Sequence, residues 1–309
     1  MALDDVVTSP RTGDVSAERK ALRIFRLRSL LAPAVAWRWS RFARDLHRRV
    51  GAAAPPARVL AKPLRNYLKR GLGPTRRLEA LLTHHRLTES IFSRDTLGRL
   101  LDGQKITLAD VYARKSMRFQ VVLAAANVFA LQREGELAIA VLKVGDEDVR
   151  LARLAFSFTR LNGDFALVIG GMQGPFGGQK RQVIDATREM WGLRPKDAVL
   201  LAVRELAAAL GAAGVHAVGD AEHVLNRLQD DKKLSVYDDY WRERGATRGG
   251  PYGFVFGPIE TGETATGGRV AVKAAISKGA RAFAERARIG SLSSPPPQAP
   301  KVEVATAGA

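Results

Sequence analysis

Apolar residues recur at helical spacing through the first third of the chain and switch to strand spacing near Leu137. From Glu18 to Val50 the apolar positions Leu22, Phe25, Leu27, Leu30 and Leu31, then Val35, Trp37, Trp39, Phe42 and Leu46, predict helix, with Pro33 breaking it or opening a second one. An Ala/Pro connector covers 52–63, and a helical region is expected from Leu64 to about Ala130. Within it His84 and His85 are adjacent, so on a helix they leave in different directions; one of them reads as a packed, hydrogen-bonded residue.

Three strand patterns follow, over Leu137–Val144, Val149–Arg160 and Phe165–Gly171, with turn signals at Gly145-Asp146 and Asn162-Gly163-Asp164. Short connections of that kind predict an antiparallel meander. Beyond it the pattern predicts helices over Gln179–Trp191 and Pro195–Leu210, each followed by glycine. A short strand is expected at Val215–Gly219, able to lie parallel to its neighbour. A helix is expected at Tyr237–Gly245, a strand at Tyr252–Phe256, and a basic amphipathic helix at Val270–Ile289. The fold class is therefore α+β: a helical N-terminal region followed by a mixed sheet. The expected organisation is a disordered leader (1–17), a basic helical region (18–130), an α+β core (131–260), and a basic helix with a Pro-rich disordered tail (261–309).

The meander runs into an unusual segment. From Gly170 to Gly178 five of nine residues are glycine, and Gln179, Lys180 and Arg181 come next. Glycine lets a ligand approach the backbone, and the free amides of a following helix would favour an anion. Neither G-x-G-x-x-G nor G-x-x-x-x-G-K-[ST] is satisfied. The segment nominates Gln173, Gly174, Gly177, Gly178, Gln179 and Lys180 for a small phosphate-bearing ligand.

Charge adds a second theme. The net charge of +18 is concentrated at the front: residues 1–100 hold 21 Lys+Arg against 8 Asp+Glu, whereas residues 101–260 hold 21 against 20. Such asymmetry suits a polyanion, or a soluble arginine-rich surface. Arginines interleaved with Trp37, Trp39 and Phe42 would suit a helix in an anionic membrane interface; an aromatic face packed on the core explains the same pattern. Nucleic acid ranks last as a partner, because no nucleic-acid-binding motif is present. With no cysteine, thiolate catalysis and disulfides are excluded. A secretory signal is not supported around Leu30–Trp37, and the protein is expected in the cytoplasm or peripheral at the inner membrane.

Several motifs together resemble the VirK/YbjX family of bacterial proteins, over roughly Leu60 to Phe256. They are Glu134-Gly135-Glu136-Leu137, Phe156-Ser157-Phe158, Ile169-Gly170-Gly171-Met172-Gln173-Gly174-Pro175, Trp191-Gly192-Leu193-Arg194-Pro195-Lys196, His216-Ala217-Val218-Gly219 with His223, and Tyr237-Asp238 with Tyr240-Trp241. That resemblance implies links to virulence, envelope stress or resistance to host peptides, without naming a reaction. The predicted element order is also similar to that of GNAT-type acyltransferases, in which the loop after the fourth strand cradles coenzyme A. On that likeness Glu222 or His223 would be the base, Tyr240 the acid, and a coenzyme A thioester the acyl donor. The spacing from Gln173 to Gly177 and Gly178 is one residue too long for the GNAT pattern. Structural roles also fit these residues: a helix cap for Glu222, core packing for His223 and Tyr240. His216, Asp220, Glu222 and His223 have metal-ligand chemistry but no recognised metal spacing.

Overall fold

The computed structural model describes residues 12–114, 117–145, 149–175, 180–225, 237–258, 267–288 and 301–302. Five helices come first: α1 (Thr12–Ser29), α2 (Pro33–Val50), α3 (Ala57–Leu60), α4 (Pro74–Ile91) and α5 (Arg94–Leu101). Pro33 occupies the first turn of α2, where its missing N–H costs nothing. Strands β1 (Ile106–Tyr112) and β2 (Arg118–Ala125) lie where helix was expected, so the helical region ends at Leu101. The helix at the front begins at Thr12, inside the expected leader.

The meander forms as anticipated: β3 (Leu137–Lys143), β4 (Val149–Leu161) and β5 (Asp164–Gln173) pair antiparallel. Asn162 and Gly163 take φ 53° and 94°, the left-handed pair that a two-residue hairpin requires. The chain continues through α6 (Lys180–Glu189), α7 (Pro195–Leu210), β6 (Gly214–Val218), α8 (Tyr237–Glu243), β7 (Ala246–Gly249), β8 (Gly253–Phe256), α9 (Gly268–Ala287) and a two-residue β9 (Lys301–Val302). Among the described residues the strands join one sheet in the order β7-β8-β6-β5-β4-β3-β2-β1-β9. The β5/β6 pair is parallel, because α6 and α7 carry the chain back across the sheet.

Alternation along β5 assigns the two faces. Leu167 and Ile169 enter the large cluster under α7 and α9, with Val199, Val203, Ile276 and Ala280. Val168 enters a separate cluster with Trp39, Tyr67, Leu68, Leu78 and Leu81, which belong to α2, α4 and the segment before α4. Trp39 is buried, its indole N–H donates to Val59 O at 2.9 Å, and Phe42 packs beside it. Of the three aromatics on α2, only Trp37 faces outward. Among the described residues no helix is long and apolar enough to cross a membrane.

Candidate functional site

The site lies where β5 leaves its parallel partner. Pairing with β6 covers Ala166–Ile169 against Gly214–Ala217, yet β5 runs on to Gln173. Against β4 the register slips between Ala155/Phe156, where Gly171 opposes Ala155 and Ile169 opposes Phe156, which makes Gly170 the extra residue of a bulge. A bulge bends its strand and re-aims the residues beside it. Glycine is favoured here for two reasons: a Cβ on Gly170 would overlap the Glu134 backbone carbonyl oxygen, and one on Gly171 would have to displace the Glu134 carboxylate. Beyond the last β6 pair, the Tyr237 hydroxyl from α8 reaches β5, donating to Met172 O at 3.0 Å and accepting from Met172 N at 3.3 Å.

Glu134 is the central charge of this region. It precedes β3, and Gly135 lets the chain lie against the Phe156 backbone, which a Cβ would meet at 2.7 Å. Its Oε1 accepts from Gln173 Nε2 at 2.6 Å, and Gln173 Oε1 accepts from Arg153 Nη2 at 2.8 Å. Its Oε2 is buried without a hydrogen-bond partner, as is Nε2 of His223. Both atoms border the space that a Gly171 side chain would fill. Burial pushes the Glu134 carboxyl up to about 7, against the opposing pull of Gln173 and Arg153. Burial also lowers His223 to about 4, so its ring is neutral near neutral pH.

A loop from the N-terminal layer roofs this cluster. Leu68 adopts φ 58°, unusual for a leucine, donates its N–H to Arg133 O at 2.7 Å and lays its side chain on Gly170. Two residues on, the Arg70 N–H donates to Glu222 O at 2.8 Å. A second buried cluster adjoins on the same face. Lys62 Nζ donates to Glu136 Oε1 at 2.6 Å, and His85 Nε2 lies 3.3 Å from Glu136 Oε2. Burial opposes charge on Glu136, but Lys62 and His85 outweigh it and hold the carboxyl well below its usual range. His84 is the packed, hydrogen-bonded histidine, its Nδ1 accepting from Phe158 N at 3.0 Å. The two histidine rings are nonetheless neighbours, with centroids 5.0 Å apart, so α4 does not send them to separate surroundings.

The residues nominated from the sequence fall in several environments. Gln173 is part of the Glu134 cluster, and Gly174 lies near the Lys196 side chain. Lys180 opens α6 and is exposed; Gly177, Gly178 and Gln179 lie outside the described residues. The Glu222 carboxylate lies 3.5 Å from the Arg248 guanidinium. Tyr240 donates to Asp197 Oδ1 at 2.8 Å, and burial followed by the Asp197 charge raises its hydroxyl above the ordinary range. Glu222, His223 and Tyr240 thus do not share one set of contacts. Glu134, Arg153 and Tyr237 are candidates that emerge only from the fold, although Glu134 and Tyr237 stand in the motifs quoted above. An acidic residue followed by glycine at the mouth of an all-apolar strand was the available signal for Glu134. Among the described residues no group of three or more His, Asp and Glu side chains is arranged to hold a metal ion.

No curated protein and no solved structure matches this sequence. The model of DUF535, a family described as proteins of unknown function, matches residues 14–261. That span is most of the chain, and the chain therefore belongs to the DUF535 family.

Proposed function

We propose that this protein is an acyltransferase that takes its acyl group from a coenzyme A thioester and passes it to an amine. One observation carries the reading: β5 outruns its parallel partner β6, bulges at Gly170 and runs into the glycine-rich segment, and the wedge between the two strands beside Glu134, bridged by the Tyr237 hydroxyl at Met172, is where the donor would enter. From β2 to β8 the strand order, four antiparallel strands, a parallel neighbour and a closing hairpin, supports the resemblance to the GNAT arrangement. Topology alone does not give function, so the weight rests on the wedge and its charges.

The residues present are compatible with such a donor. The Gly170–Gln173 stretch lies beyond the β6 pairing, with the Met172 N–H and C=O held by Tyr237 until a donor displaces it, Lys180 begins a helix, and Lys196 lies near Gly174. When bound, the thioester supplies an activated acyl group. The protein must then take a proton from the attacking amine as the C–S bond breaks, and return one to the departing sulfur. Glu134, with a carboxyl near 7 and one oxygen without a partner, suits the first task. Gln173, held in turn by Arg153, orients that carboxyl. Tyr237 is the hydroxyl placed for the second task, and it would have to release its hydrogen bond to Met172 O to donate to the sulfur, as Tyr240 would have to release Asp197. The resemblance to VirK/YbjX proteins supports a bacterial envelope component as the acceptor.

Thermal unfolding with millimolar acetyl-coenzyme A, adenosine diphosphate or sulfate tests the reading. Ligand at one hundred times its dissociation constant adds about 2.7 kcal/mol, and acetyl-coenzyme A should raise the midpoint most. No rise with any of the three would remove the acyltransferase.

A further inference from the structure

The turn joining α1 to α2 is an ordered tip with an unusual surface. Leu31 N and Ala32 N donate to Arg28 O at 3.1 and 3.2 Å, and Arg28 Nη1 donates to Leu64 O at 2.7 Å, so the turn is tied to the body. Inner positions are spent on packing: Ala21, Ala36 and Trp39 are buried, and Phe25 packs on the same cluster. The outer positions are apolar as well. Leu27, Leu30, Leu31 and Trp37 are 59%, 80%, 87% and 63% exposed, the four most exposed large hydrophobic residues among those described. Between Glu18 and Asp45 the chain holds eight Lys and Arg and no acid. The Arg41 guanidinium stacks over the Trp37 ring at 5.5 Å.

From this arrangement we infer that the α1–α2 tip docks on an anionic lipid bilayer, with Leu30, Leu31 and Trp37 entering the interface and the flanking cations meeting the headgroups. Three leucines and a tryptophan at one turn are costly in water and suited to the boundary between headgroups and acyl chains. Basic residues beside them add attraction to anionic lipid that salt weakens. The contact is made by the tip and by Trp37 alone among the α2 aromatics, since Trp39 and Phe42 are engaged inside the protein. This inference stands apart from the acyl-transfer reading and can hold or fail without it.

Cosedimentation of the full chain with phosphatidylcholine vesicles, with and without phosphatidylglycerol, is the test. Wild type should bind the anionic vesicles, lose most binding at high salt and leave the neutral vesicles in the supernatant. Leu30→Ser/Leu31→Ser/Trp37→Ser should bind anionic vesicles at least tenfold more weakly. Its unfolding midpoint should not change, because the replaced side chains are exposed. Arg23→Gln/Arg26→Gln/Arg41→Gln should lose a similar factor at low salt and respond less to added salt. Undiminished binding by the apolar triple variant, equal binding to both vesicle types, or no binding by wild type would overturn the inference. So would light scattering that shows a wild-type dimer and a monomeric triple variant, neither binding vesicles, since the tip would then be a self-association surface.

Discussion

Glu134 and His223 border one glycine, and burial moves them in opposite senses because it disfavours whichever form is charged. Glu134 binds its proton more tightly when folded, so its contribution to stability is present below pH 4.5 and is lost as pH rises toward about 7. His223 binds its proton less tightly when folded; its contribution is present above pH 6.5 and is lost as pH falls toward about 4. Each amounts to on the order of 3 kcal/mol at 1.36 kcal/mol per unit, and over the shared window the two offset one another. Denaturant melts as a function of pH should separate them. Wild type minus Glu134→Gln should show stability falling as pH rises, and wild type minus His223→Gln should show it falling as pH drops. Parallel profiles for both variants would mean that neither group titrates with the fold. The residue-scale features were only partly legible. Glu134 and His223 are visible as residues, but the loop that bonds to Arg133 through Leu68 and bridges to His223 through Lys69 lies more than sixty residues upstream of Glu134.

At the scale of elements, single side chains and single glycines hold the layers in place. Lys62, just after α3, reaches Glu136 at the start of β3, so this buried pair ties the N-terminal helices to the sheet. Lys62→Met alone should cost about 3–5 kcal/mol by leaving the carboxylate unpaired, and Lys62→Met/Glu136→Leu should recover most of that loss. Chemical denaturation of the two variants decides this; equal losses would mean that the charge pair itself is not what matters. The β5 bulge makes a sharper demand. Gly170→Ala must push the Glu134 backbone aside, and a loss of about 1–3 kcal/mol is expected, as for overpacking in a tight core. Gly145→Ala, where a Cβ meets nothing within 4 Å, should stay within about 0.5 kcal/mol of wild type. The elements that were read correctly carry local signals: Pro195 and Gly211 bracket α7, and Asn162-Gly163 sets the hairpin. Strands β1 and β2 were hidden because both faces are covered, so Val121, Val122, Leu123 and Ala124 are all buried and the alternation disappears. Strand β7, four residues on the sheet edge with Thr247 and Arg248 exposed, has too little apolar content to register.

Across the whole molecule, the basic front of the chain and the near-neutral sheet are one packed structure, since β1 and β2 complete the sheet and α2 and α4 cover its face. The same layer that roofs Glu134 carries the exposed Leu30, Leu31 and Trp37 at its outer end. A coupling between membrane contact and access to the wedge would be read as faster thermolysin cleavage near Leu68 when anionic vesicles are added. An unchanged cleavage rate would mean that the two ends act independently. Amide hydrogen exchange with saturating acetyl-coenzyme A tests donor binding at the end of β5 directly. Slower exchange is expected in Gly170–Gln173 and in the first turn of α6 from Lys180, with α1 and α2 unchanged. No protection along β5, or protection confined to another part of the sheet, would contradict the account.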